Sequence, residues 1–175
     1  MNLKEELVRE RSRAQADMVA TWIGNDEHRL SDLMLLFMEE GDPLIQRAAW
    51  ILNIVAVSQP SLLAPHLGSL LDRMEHPFLP SAVKRHVMSI LELVPFPEPL
   101  HGRIMNAAFG MLEDPAEPIA VRALSMSVLG RLAAIYPDIQ AELRLIIEEI
   151  LAQGAGAGLR ARAKKVLQAL GKGAR

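Results

Sequence analysis

A strict 38-residue recurrence constrains this chain more than any other feature. The apolar anchor Ile45 returns as Val83, Val121 and Leu159, and no step contains an insertion. Leu52, Ile90, Val128 and Val166 keep the same register, as do Ala56, Val94, Leu132 and Leu170. A second set of columns precedes these, with Leu33, Leu71, Phe109 and Ile147 in one and Leu36, Met74, Leu112 and Ile150 in another. Within each unit the apolar residues fall at helical spacing and do not alternate as in a strand. Two short helices cannot bury their apolar stripe alone, so each unit must stack on its neighbours. The expected fold is all-α, a right-handed α-α superhelix. It has about nine helices, arranged as four helix-pair repeats plus an N-terminal capping helix.

A chain of 175 residues suits a single domain over 1–175. The capping helix is expected over 2–23, with Asn2 as its cap and Glu5 at the third helical position. Arg11 stands in this helix where the complete repeats carry a small core residue. The repeats follow at 26–57, 61–94, 97–134 and 137–170. In the first of them, Asp42 is expected to cap the second helix, with Pro43 at its first position.

The absence of cysteine removes disulfides, thiolate metal sites and a cysteine nucleophile. No apolar run approaches the roughly 20 residues that span a bilayer. Acidic residues follow closely on the N-terminus, unlike a secretory signal, so a soluble cytoplasmic protein is expected. The five histidines show no metal-ligand spacing, and His101 shares a core-like column with Leu63 and Ile139. No glycine-rich phosphate loop or convergent catalytic set stands out, so neither catalysis, a cofactor nor a metal is expected. The net charge of −2 hides an imbalance, because Arg160, Arg162, Lys164, Lys165, Lys172 and Arg175 close the chain with no acid after Glu149. That tail reads as a solvated end helix, or as a surface for an acidic partner.

The pattern resembles the HEAT repeat of the armadillo-like class. In that family a proline or aspartate near the turn precedes the second helix, and an apolar–basic pair follows. Here Asp42-Pro43 leads to Ile45-Gln46-Arg47, Pro80 to Val83-Lys84-Arg85, and Pro118 to Val121-Arg122. Ala49, Ser125 and Ala163 match the small residue of the family pattern, while the second repeat carries the bulkier Val87 there. The resemblance covers about residues 26–170 and implies a protein-interaction scaffold whose second helices line a concave face. On that face the expected groove residues are Arg47, Trp50, Asn53, Lys84, Arg85, Met88, Arg122 and Met126. They would hold a helix or extended peptide of another protein, with basic residues at one edge and Met and Trp along the middle. Met88 and Met126 are equally open to a packing role, and Asn53 to a buried amide tying a nearby turn.

Two other functions are compatible with the pattern. Some alkylated-base DNA glycosylases are built from similar repeats, with a basic concave face, a tryptophan and a catalytic aspartate. Trp50, Arg47, Lys84, Arg85 and Arg122 are loosely similar, but no aspartate lies among them and the chain is slightly acidic. Nucleic acid is therefore an unfavoured partner. An accessory or regulatory partner of an enzyme is the other alternative. Basic caps at both ends should repel in head-to-tail stacking, so a monomer or weak dimer is expected.

Overall fold

The computed structural model describes residues 1–76 and 78–172, the last by its backbone alone. Pro77, the Lys172 side chain and Arg175 of the basic tail lie outside the described residues. The regular elements are all helical among the described residues. The α-helices are α1 (Leu3–Arg9), α2 (Arg13–Ile23), α3 (Glu27–Glu39), α4 (Leu44–Ser58), α5 (Pro60–Leu63), α6 (Leu67–Met74), α7 (Ser81–Leu93), α8 (His101–Glu113), α9 (Ile119–Ile135), α10 (Gln140–Ala152) and α11 (Ala157–Lys172). Short 3-10 turns occur at Ala64–His66, Glu98–Leu100 and Pro137–Ile139. The helices form two compact units, Met1–Pro97 and the chain from Glu98 onward.

In the first unit α4 is the central helix, packed by α1, α2, α3 and α7. Ala48, Ala49 and Ala56 are buried on it beside the larger Ile45, Ile51, Leu52 and Val55, so small side chains give neighbouring helices room while the larger ones fill the core. Phe37 of α3 and Leu71 of α6 are buried in the same unit. In the second unit α9 takes that place, packed by α8, α10 and α11. Ser125 is fully buried there and satisfied, since its hydroxyl donates to the Val121 carbonyl at 2.9 Å. Gly130 sits where a Cβ would come within 3.2 Å of Val166 Cγ1, so the missing side chain lets α9 and α11 close up.

The expected single capping helix is two helices broken at residues 10–12. Glu10 and Ser12 adopt extended backbone, and the Ser12 hydroxyl accepts from Gln15 N at 3.1 Å, starting a fresh helix. Buried Gln15 reinforces the break, donating through Nε2 to the Glu6 carbonyl and to the Glu6 carboxylate. Asp42 also departs from expectation. Pro43 occupies the cap position with no side-chain cap hydrogen bond, and Asp42 accepts from the Gln46 side chain instead.

Arginines satisfy several helix C-termini, whose last carbonyls have no partner within the helix. Arg29 Nη1 donates to Trp22 O at 2.6 Å while its guanidinium lies over the Trp22 ring. Arg73 donates to Phe37 O and Glu40 O at the end of α3. Arg122 Nε donates to Leu112 O at 3.0 Å near the end of α8. Arg47 Nη1 donates to the Leu7 and Val8 carbonyls in the last turn of α1. Such placement also suits the negative end of the helix dipole. Arg47→Met keeps much of the apolar stem and removes these bonds. We expect a loss of about 1–3 kcal/mol and faster hydrogen exchange confined to α1, read by mass spectrometry.

The second unit contains a part-buried polar pair that the sequence only half discloses. His101 is buried as its column suggests, and its Nδ1 lies 2.9 Å from the Tyr136 hydroxyl. The two rings meet edge-on, with centroids 5.6 Å apart. Tyr136→Phe is expected to cost about 1–3 kcal/mol in chemical denaturation, because it strips one buried ring nitrogen of this partner.

Candidate binding cavity of the first unit

Helices α4 and α7 carry the equivalent positions Arg47 and Arg85, one repeat apart, and a cavity opens between these helices. Its volume is about 310 Å³, and its lining is Arg11, Gln46, Arg47, Trp50, Ala82, Arg85 and His86. Gln46 and Arg47 come to one face of α4 through Trp50, which lies four residues after the first and three after the second. Ala82, Arg85 and His86 share a face of α7 for the same reason. Arg11 enters from the break between α1 and α2, so the interruption of the capping helix is what delivers it.

The electrostatics are one-sided. Three guanidinium groups line the cavity and no carboxylate does. Arg11 and Arg85 are exposed and have no hydrogen-bond or ion-pair partner among the described residues. Arg47 is half-buried, and its Nε is enclosed without a partner while Nη1 serves α1. Burial, helped by the adjacent Arg85 charge, pushes the His86 imidazole down to about 4. This ring is therefore neutral at pH 7.

That shift has a consequence for stability. The unfolded chain takes up a proton near pH 6.5, which the folded protein refuses until about pH 4. Stability from His86 is thus complete above pH 6.5 and declines as pH falls toward 4. Solvent around the ring limits the effect to the order of 1 kcal/mol. His86→Gln is expected to flatten the fall of Tm between pH 7 and 5 relative to the parent. An identical slope in both proteins would refute this assignment.

The other groove residues separate. Met88 and Met126 are both 0% exposed, which corrects their placement in a groove. A flexible thioether fills irregular core space well, and each faces its own unit's interior. Arg122 belongs to the second unit, where it caps α8 and borders a different hollow with Glu113 and Glu149. Lys84 and Asn53 are half-buried and do not line the Arg47 cavity. Asn53 Nδ2 is enclosed without a partner. Sequence reasoning missed Arg11 and His86 as lining residues, although the signal for Arg11 was its intrusion into a column of small residues.

Among the described residues no cluster of three or more histidine, aspartate or glutamate side chains could hold a metal. No described helix is long and apolar enough to cross a membrane. A family model for the HEAT repeat domain matches residues 3–170. No curated protein and no solved structure matches the chain.

Proposed function

The chain belongs to the HEAT repeat domain family, and on that premise we propose that it is a protein-interaction module whose first unit seats an acidic segment of a partner protein. HEAT repeats generally serve as protein-interaction scaffolds. The observation that carries the finer reading is a cavity of about 310 Å³ with three arginines, a tryptophan and no carboxylate in its lining. Arginine forks match carboxylate geometry, and the Trp50 ring offers apolar area beside them. Arg11 and Arg85 have no internal partner among the described residues, so both are available to a ligand without first breaking a protein ion pair.

The test uses Trp50 as reporter in a Trp22→Phe background, which leaves one tryptophan in the chain. Titration with a short glutamate- and leucine-containing peptide should change Trp50 emission, and affinity should weaken as salt rises. An arginine-substituted peptide should give no change. Equal response to both peptides, or to neither, would remove the reading. The glycosylase-like alternative requires an aspartate beside the basic residues, and the lining carries none. A duplex DNA titration at low salt is expected to leave Trp50 emission unchanged.

A further inference from the structure

We propose that the negative group recognised by the Arg11–Arg47–Arg85 cavity is a phosphorylated serine or threonine side chain of a partner peptide. This rests on the reading of the cavity as a docking site for an acidic protein segment. It adds the chemical identity of the anchor.

Charge matching is the first argument. Arg11 and Arg85 have no partner among the described residues, and Arg47, held by its Nη1 bonds to α1, adds a third positive charge to the lining. A single carboxylate brings one negative charge to three guanidinium groups. A phosphomonoester brings nearly two charges and three acceptor oxygens. The planar guanidinium fork binds phosphate oxygens two at a time, which a point-like ammonium does not do.

Size is the second. A cavity near 310 Å³ has the bulk volume of roughly ten water molecules. A bare phosphate ion leaves most of it wet. A phosphoryl group together with its side chain and a flanking residue against Trp50 fills it better. Peptide-borne phosphate is thus favoured over the free ion.

The third argument is locality. Residues 1–97 hold nine basic and thirteen acidic side chains. The positive site is an isolated spot on an acidic unit. A nucleic-acid backbone needs a continuous basic track to neutralise successive phosphates. One dianion needs only the spot. Neutral His86 in the same lining adds a hydrogen-bonding ring nitrogen, while the Gln46 amide already donates to Asp42.

Three oriented peptide libraries provide the test, with phosphoserine, serine or glutamate fixed at the centre and the flanks varied. They are passed over immobilised full-length protein and over its Arg11→Gln/Arg85→Gln variant, with circular dichroism confirming that the variant is folded. Retention of the phosphoserine library should exceed that of the serine library by about tenfold or more and that of the glutamate library several-fold. The double variant should lose that discrimination. Equal retention of phosphoserine and glutamate overturns the phosphate anchor and leaves acidic-segment docking standing. Failure of both to exceed serine overturns both readings. Inorganic phosphate that displaces the library at equal molar concentration identifies a free-anion site and overturns the peptide source. Displacement by single-stranded or duplex DNA at lower concentration than the peptide overturns the choice of a protein ligand.

Discussion

If the first unit seats an acidic segment as proposed, Arg85→Glu is expected to lower its affinity by at least about a hundredfold, on the order of 3 kcal/mol. Two effects add in the same direction. The substitution removes one of three guanidinium groups from the cavity and puts a carboxylate in a lining that otherwise has none. Like charges then face each other at short range, where solvent screening is reduced by the cavity walls. Stability should change little, because Arg85 is exposed on α7 and holds no internal partner. Peptide titration by Trp50 emission, beside a thermal melt, measures both quantities. Retained affinity in a folded Arg85→Glu protein would move the binding site elsewhere. Arg85→Lys is the finer probe. It keeps the charge and loses the fork, so most of any phosphate selectivity should go while weak acidic-peptide binding persists.

Met88→Ala is expected to cost about 2–5 kcal/mol of unfolding free energy. The side chain is fully enclosed on α7, and Leu91, Val87 and Ile90 around it on the same helix are enclosed as well. Truncation leaves a cavity that these neighbours fill only in part. Met126→Ala in the second unit should behave alike, since it is equally buried. Urea denaturation gives the loss directly. In conditions where Met88→Ala remains folded, its peptide affinity should stay within about twofold of the parent, a difference below 0.5 kcal/mol. A surface methionine in a groove gives the reverse pattern, with small stability loss and large affinity loss.

The contrast between these two residues shows what a one-dimensional pattern resolves. Arg85 and Met88 are three positions apart on one helix face, and both sit at columns beside the core anchors. Arg85 ends up exposed and Met88 enclosed because different elements lie across from them. Periodicity identifies the centre of an apolar stripe well and its borders poorly, since a border residue's burial depends on how close the facing helix comes. Arg47 and Arg122 illustrate the same difficulty for charge. Both were expected to face a ligand, and both donate to helix-end carbonyls. Those acceptors lie 39 and 10 residues away along the chain. Only Arg47 also borders the proposed site.

The sequence by itself determined the helical class, the repeat length and the centres of the core columns. Ile45, Val83, Val121 and Leu159 are all buried, as are Leu52, Ile90, Val128 and Val166. This follows because fixed-spacing apolar residues on a helix must share a face, and a two-helix unit has nowhere to hide that face but against its neighbours. Tertiary structure alone decided where Arg11 goes, which arginines keep free donors, and that α4 and α7 leave a cavity between them. Those outcomes depend on long side chains reaching across elements and on carbonyls at helix ends that need outside donors. Neither the reach nor the unpaired carbonyl has a position in the repeat. Both exist only once the helices are packed.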